Sequence, residues 1–319
     1  MIKKYVTAAL VCAAPVAQAA TLDPLELLSG FNGIVLNDLT STVNHVEGTL
    51  FVGGDLIANS GFYVNNRGLA DGTVGDVSGA LIVGGNITNG LNDGGQGDIV
   101  VGGTVSGNVS SASNARLTTG TTIAVNDVAA AMTELSDALS MYGDTAGASV
   151  DASDPNLKSL TSGAGGTDEL EDIAIINLDA AATMAFLSGG NLANLSLDSG
   201  VTTILNLAGD DITLSGNFNQ DDSSVLFNFF EASTLQINAT FGFSVLSPFA
   251  DVTLGSGGMD GTLVAYNLDQ RVELRPYGTT GVFDGTLPAS QVSAVPLPAA
   301  AWMLLAALGG LGLMRRRAS

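Results

Sequence analysis

The sequence predicts an all-β protein, a right-handed β-solenoid-like domain with one flanking α-helix, and two internal echoes favour it. The first echo is a β-prone run that closes on Val-Gly-Gly and continues with a polar and an aliphatic residue, at residues 46–56, 77–87 and 97–105. The second is a strand with asparagine at its third position, at residues 175–178, 204–207 and 226–229. The 41 glycines suit tight corners, because glycine tolerates positive φ.

The glycine pairs begin at Gly53, Gly84 and Gly102, and this unequal spacing excludes a strict short-period repeat. It fits stacked coils of which some carry inserted loops. In such a stack the asparagines of the second echo are expected to hydrogen-bond along the stack as a ladder. Three unrelated buried strands are the alternative interpretation.

One segment breaks the β pattern with an apolar stripe at helical spacing. The stripe consists of Val128, Met132, Leu135, Leu139 and Tyr142. It predicts a helix over residues 126–142 that lies against the sheet. Asn126 or Asp127 is expected to cap its start, and Gly143 to end it. Residues 143–166 are rich in Gly, Ser, Thr, Asp and Ala, which indicates a loop or a mobile insertion.

Residues 1–20 are typical of a secretory signal peptide, since Lys3 and Lys4 precede an apolar stretch over residues 5–16. The small residues that define the expected cleavage site are Ala17, Ala19 and Ala20. An uncleaved anchor is the alternative, but the stretch is shorter than the ~20 residues of a membrane-spanning helix. The single cysteine, Cys12, lies in this stretch, so the expected domain, residues 21–290, has no disulfide and no cysteine metal site.

The expected domain is strongly acidic. Its basic residues are Arg67, Arg116, Lys158, Arg271 and Arg275. All 31 acidic residues of the chain lie in the same domain. The resulting negative charge repels phosphate groups and excludes nucleic acid and anionic lipid as partners. Such a surface attracts divalent cations, although solubility in salty surroundings explains the charge as well. Calcium is considered at two polar turns, residues 89–93 and 219–222, without an assigned ligand set; the sequence indicates no other cofactor.

The C-terminal segment, residues 291–319, has three parts. A proline-rich motif comes first and consists of Val295, Pro296, Leu297, Pro298 and Ala299. An apolar run over residues 299–314 is expected to form a short transmembrane helix. The closing cluster Arg315, Arg316 and Arg317 is expected to stay cytoplasmic and to stop transfer.

This segment resembles the VPLPA-type C-terminal sorting signals, relatives of the PEP-CTERM signals that exosortase-type transpeptidases read. The resemblance implies an inner-membrane intermediate, cleavage near the prolines and transfer to the cell surface or the exopolysaccharide layer. A plain one-pass membrane anchor is the alternative.

The region before this segment resembles the choice-of-anchor A family. The segments that carry the resemblance are residues 31–38, 46–56, 226–229, 246–252 and 261–268. Ser247 and Phe249 depart from the family's turn pattern. At the level of the fold, the layout is also similar to ice-binding β-solenoids, in which a helix packs beside a triangular coil.

Catalytic groups are sparse, and no enzymatic activity is expected. The only histidine, His45, has no G-x-S-x-G serine to accompany it, and one imidazole without a thiol does not indicate zinc. Acidic clusters that a polysaccharide-cleaving enzyme could use are Asp210 with Asp211, Asp221 with Asp222, and Glu169 with Glu171 and Asp172. Such neighbours are more typical of solvated turns.

The sequence thus predicts an exported, envelope-sorted surface protein with a structural or adhesive role in a biofilm or exopolysaccharide matrix. The alternatives are an ice- or carbohydrate-binding module and a polysaccharide-cleaving enzyme. Ice binding requires a regular array of threonines, and the densest group is not spaced at the period of a coil. That group comprises Thr118, Thr119, Thr121 and Thr122.

Overall fold

The computed structural model describes residues 22–59, 61–278 and 281–288. The expected signal peptide, the sorting motif, the apolar run 299–314 and the arginine cluster lie outside the described residues. Within the described ranges, no helix combines the length and the apolar character that crossing a membrane requires.

Short strands make up most of the regular structure. Those of the first half are β1 (Gly33–Val35), β2 (Leu39–Ser41), β3 (His45–Val46), β4 (Leu50–Val52), β5 (Leu56–Ala58), β6 (Tyr63–Val64), β7 (Gly72–Val74), β8 (Val77–Gly79), β9 (Leu81–Val83), β10 (Ile87–Thr88), β11 (Ile99–Val101) and β12 (Leu117–Thr119). Those of the second half are β13 (Ser149–Asp151), β14 (Lys158–Gly163), β15 (Ile173–Leu178), β16 (Leu192–Leu197), β17 (Thr202–Leu207), β18 (Asp211–Leu214), β19 (Val225–Asn228), β20 (Thr234–Ile237), β21 (Ser244–Leu254), β22 (Met259–Asp260), β23 (Leu263–Gln270) and β24 (Leu274–Arg275).

Four α-helices accompany these strands in the described residues, where the sequence predicted one. They are α1 (Pro24–Gly30), α2 (Ser111–Arg116), α3 (Val125–Ser140) and α4 (Ala180–Leu187), and a 3₁₀ turn covers Asp168–Leu170. The predicted helix is α3. The other helices are each eight residues or shorter, too short for a periodic signal, although α1 and α4 carry local start signals. Asp23 caps α1 just before Pro24, and Asp179 caps α4.

The main sheet is parallel throughout and runs in the order β12-β11-β9-β4-β1-β23-β21-β19-β17-β15. The chain enters this stack in its middle at β1 and winds outward to β12. Helix α3 then passes along the sheet against β17, β19 and β21. From β15, at the opposite end, the coils wind back until β23 pairs with β1. The mostly β, stacked architecture confirms that part of the expectation, while the hand of the coil stays a prediction.

A complete coil contributes to three surfaces, named here by their strands. Face A is the main sheet. Face B is the parallel series β10-β5-β2-β23-β21-β20-β18, to which β21 and β23 contribute their second halves. Face C contains the two-residue strands β3, β6, β22 and β24. The main apolar core fills the space between the three faces.

Except at its end strand β12, face A is largely buried on both of its sides, which explains why its strands read as apolar runs rather than as alternating patterns. In β4, for example, Leu50 and Val52 belong to the interior core, whereas Phe51 belongs to a second apolar cluster on the outside. Helices α1 and α3 supply the other half of that outer cluster, with residues such as Leu28 and Met132.

The Val-Gly-Gly corners bring successive coils into close contact. The N–H of Gly84 donates to the carbonyl of Val52 (2.7 Å), and that of Gly102 donates to the carbonyl of Val83 (2.7 Å). A Cβ atom on Gly84 would overlap the carbonyl oxygen of Gly53, and one on Gly102 would overlap that of Gly84. None of these three glycines adopts the left-handed conformation. Glycine is required here by the close approach of two backbones, and not by the positive φ that the sequence suggested.

The asparagine ladder is confirmed. Nδ2 of Asn206 donates to Oδ1 of Asn177 (2.8 Å), and Nδ2 of Asn228 donates to Oδ1 of Asn206 (2.9 Å). The same amide groups also reach the end of helix α3. Asn206 donates to the carbonyl of Leu139 (2.7 Å), and Asn177 donates to that of Tyr142 (3.0 Å). The ladder therefore fastens the helix to face A as well as joining the coils.

Both predicted ends of helix α3 were wrong. The helix starts at Val125 without a side-chain cap, and not at a cap formed by Asn126 or Asp127. Val125 lies directly over Gly53 and Gly84, so packing into the glycine corner sets the start. At the other end the asparagine ladder takes carbonyl groups of the last turn, so a glycine cap is not needed, and the helix stops before Gly143.

The prediction of a loop over residues 143–166 was also wrong in part, because the segment contains β13 and β14. Strand β14 pairs with β13 on one side and with β16 on the other. Three buried side chains hold it, Lys158, Leu160 and Ser162. Nζ of Lys158 donates to the carbonyls of Ser188 (2.7 Å) and Gly189 (2.5 Å), and burial lowers the pKa of this lysine.

We predict that Gly84→Ala destabilises the domain by about 3 kcal/mol, since the added methyl group overlaps backbone that cannot move without breaking the stack. The free energy of unfolding from urea titration measures this. Gly143→Ala is the matched control, because nothing lies within 4 Å of a Cβ atom at that glycine. Equal stability of the two variants would contradict the role given to the glycine corner.

Candidate binding surface

The three faces differ in what they offer to a partner. Face A is covered by helices, and face C carries charged side chains that pair with one another. Face B alternates strictly between buried and outward residues, as in β2, where Leu39 and Ser41 are buried and Thr40 is exposed. Strand β5 repeats this pattern, and its central Ile57 is 41% exposed. Face B is therefore the sheet of the coil whose outward side chains reach solvent.

One outward side chain from each strand belongs to a line that runs across the sheet, called here the face-B row. Its members are Thr213, Gln236, Thr253, Asp269, Thr40, Ile57 and Thr88, in register from strand to strand. Neighbouring strands are about 4.8 Å apart, so the row extends over about 29 Å. It presents mainly methyl and hydroxyl groups at a regular interval, a geometry suited to a flat, repetitive partner.

A second line of side chains fixes the edge where face A turns into face B. Oδ1 of Asp38 accepts the N–H of Asp55 (2.7 Å), and Oδ1 of Asp55 accepts the N–H of Asn86 (2.7 Å). Oδ1 of Asn86 then accepts the N–H of Thr104 (3.0 Å). Asp55, Asn86 and Thr104 are the polar residues that follow the three glycine pairs. They hold these coils at one height and so align Thr40, Ile57 and Thr88 of the face-B row.

The face-B row contains one charge, Asp269. Nε of Arg271 donates to a carboxylate oxygen of Asp269 (2.9 Å), and this hydrogen bond raises the pKa of the arginine. Four of the seven positions are threonines, and the sequence did not single out any of them. The densest threonine group of the sequence lies elsewhere, since Thr118 and Thr119 are on β12, the end strand of face A.

The only histidine lies on face C. Its Nδ1 donates to the carbonyl of Val43 (3.0 Å), and its ring stacks on Tyr63 with the centroids 5.0 Å apart. His45, Glu47 and Glu273 form the one group of three potential metal-ligating side chains among the described residues. Both carboxylates already have cationic partners, however. Arg67 contacts Glu47 (2.6 Å) and Arg275 contacts Glu273 (3.3 Å), so a metal ion would have to displace them.

The acidic pairs serve local structure where the structure describes their contacts. Asp211 accepts a hydrogen bond from the hydroxyl of Thr234 (2.6 Å). Asp222 accepts the N–H of Ser224 (2.9 Å). Neither these pairs nor the turns at 89–93 and 219–222 belong to a group of three ionisable ligands in the described part of the chain.

Comparison with family models found one whose description is "Putative Ice-binding-like adhesive domain", which matches residues 24–275. The comparisons with curated proteins and with solved structures found no match. The matched description differs from the choice-of-anchor A resemblance and agrees with the likeness to ice-binding solenoids.

Proposed function

The chain belongs to the family of ice-binding-like adhesive domains, and from this premise we propose that it is displayed outside the cell and adheres through face B. The observation that carries the proposal is the face-B row, a line of small hydroxyl and methyl groups on a rigid parallel sheet. Each group contributes little alone, but a preformed array loses little conformational freedom when it binds.

The partner that fits this surface is a neutral, hydroxyl-rich polymer, as in an exopolysaccharide or biofilm matrix. Threonine and glutamine side chains both donate and accept hydrogen bonds, so they complement sugar hydroxyls. The acidic body repels anionic polymers, which favours neutral ones. The proposed role is binding without catalysis.

We predict that Thr40→Glu combined with Thr253→Glu weakens adhesion at least tenfold, because the new carboxylates flank Asp269 and must be desolvated on a neutral surface. Co-sedimentation with purified exopolysaccharide of the producing cells, with and without calcium, measures the affinity. Thr119→Glu adds the same kind of charge on the end strand of face A and is the control. Unchanged binding of the double variant would exclude face B.

Ice is a second candidate partner, favoured by Thr213, Thr253, Thr40 and Thr88 on the row. Asp269 places a charge within the row, and this charge is expected to weaken binding to ice. If ice is the partner, the natural chain shows thermal hysteresis, Thr40→Glu abolishes it, and Asp269→Thr increases it. Absence of hysteresis in both the natural chain and the Asp269→Thr variant would exclude ice.

We further propose that residues 1–20 direct export and that residues 291–319 pass the protein to an exosortase-type transpeptidase at the inner membrane. The Val295–Ala299 motif, the short apolar run 299–314 and Arg315 to Arg317 support this sorting route. Transfer to the cell surface places face B where it meets the matrix.

Mass spectrometry of the surface-exposed protein tests the sorting route. The mature chain is expected to begin after Ala19 or Ala20 and to end near Pro296 or Pro298, without Arg317. Replacing both prolines by alanine is expected to preserve the full tail, whereas Ser293→Ala, just outside the motif, is processed normally. A surface protein that still carries Arg317 would identify the tail as a plain anchor.

A further inference from the structure

We propose that a groove beside helix α3 is a separate binding site for a neutral sugar. The groove has a volume of about 480 Å³ and lies between the first turns of α3 and the strands at the junction of faces A and B. Sites for small molecules typically measure about 300–1,000 Å³. The proposal does not depend on face B, since none of the face-B row residues lines the groove.

Two exposed aromatic rings line this groove. Phe249 is 40% exposed and Tyr266 is 46% exposed, and they are the two aromatic members of the exposed large apolar side chains in the described residues. An isolated exposed ring needs no explanation, but two rings at one concave site mark a binding surface. The C–H face of a pyranose ring packs well against such a ring, which offers a large apolar surface.

A bulge in β21 places Phe249 at the surface. Strands β21 and β23 pair in register up to Ser247 with Ala265 and again from Asp251 with Asn267. Between these pairs, β21 contains three residues and β23 only Tyr266, so the longer strand must arch outward. Pro248 begins the bulge and has no N–H to donate to a neighbouring strand. Phe249 thus forms a wall of the groove.

The floor of the groove is bare because Gly53 and Gly54 form part of it. No Cβ atom fits at either glycine, since it would overlap backbone of the preceding coil or the carboxylate of Asp38. The packing that holds the coils together therefore also prevents side chains from filling the groove.

Hydrogen-bonding groups at the groove are left without partners in the described part of the chain. The amide of Asn126 and the hydroxyl of Tyr266 make no hydrogen bond there, and Asn37 uses its Nδ2 but not its Oδ1. Asn126 stands at the start of α3 without capping it. These groups supply donors and acceptors around the rings, as the hydroxyls of a sugar require when they leave water.

The lining of the groove is uncharged, which indicates an uncharged ligand. Every side chain that the described residues contribute to the lining is uncharged, although the domain carries 31 acidic residues. An anionic ligand would meet the repulsion of the whole body without a local cation, and a cationic one would meet no carboxylate among the described lining side chains. Apolar rings combined with neutral amides and hydroxyls fit an uncharged saccharide.

Titration calorimetry with neutral tetrasaccharides of glucose, mannose, galactose and N-acetylglucosamine tests the proposal. The full chain is kept in a detergent without a sugar headgroup. At least one tetrasaccharide is expected to bind, with an affinity reduced at least tenfold by Tyr266→Ala and by Phe249→Ala. Tyr266→Phe retains the ring and is expected to cost only a few-fold, while Leu157→Ala, at an exposed leucine outside the groove, changes nothing.

Unfolding temperatures of all variants show whether a lost affinity reflects a lost fold. Binding that survives both alanine substitutions, or no binding by any of the four sugars, would overturn the groove proposal. The proposal would also be overturned if a neutral apolar probe such as N-phenyl-1-naphthylamine competed with the sugar and bound with equal affinity, because the groove would then be an unselective apolar surface. The double variant Thr40→Glu with Thr253→Glu separates the two proposals, because it is expected to bind the tetrasaccharide normally while its adhesion to polymer falls.

Discussion

Successive coils of this domain meet backbone to backbone at the Val-Gly-Gly corners, and that contact fixes the register of every strand around it. Gly84 lies so close to Gly53 that no side chain fits between them. Because the register is the same on the turns that carry these corners, the carboxylate of Asp38 meets the N–H of Asp55, and Thr40, Ile57 and Thr88 of face B fall into line. The alignment of this part of the row and the bare floor of the groove both follow from this one steric condition.

Entry of the chain in the middle of the stack creates a second requirement. The two half-stacks must join at β1 and β23, and the chain must cross from one end to the other between them. A helix suits that crossing, because its apolar stripe covers the outer side of face A, which would otherwise expose residues such as Phe51 and Ile82. The asparagine ladder then fixes the far end of the helix through the carbonyls of its last turn. Helix α3 thus covers the outer side of face A, connects the two half-stacks and forms one wall of the groove.

Features encoded by repetition could be predicted from the sequence, and those set by tertiary contact could not. The glycine corners and the ladder of Asn177, Asn206 and Asn228 recur in the chain, so their stacking was readable. The start of α3 was not, because packing of Val125 into the glycine corner replaces the expected cap. The face-B threonines could not be predicted for another reason. Loops of unequal length separate the coils, so residues that are adjacent in space have no constant spacing in the sequence. Phe249 was noticed only as a departure from a turn pattern.

The two proposed sites differ in shape and therefore in the kind of ligand that each can bind. Face B is flat, so it gains affinity only when many weak contacts form at once on an extended partner, and a short oligosaccharide gains little there. The groove surrounds a small part of one chain between rings and amides, so it can discriminate among sugars but holds only one segment. The face-B row carries one charge and the described lining of the groove carries none, and the field of the acidic body keeps anionic polymers away from both. A neutral glycan is the one partner class that satisfies the flat face, the groove and the field together.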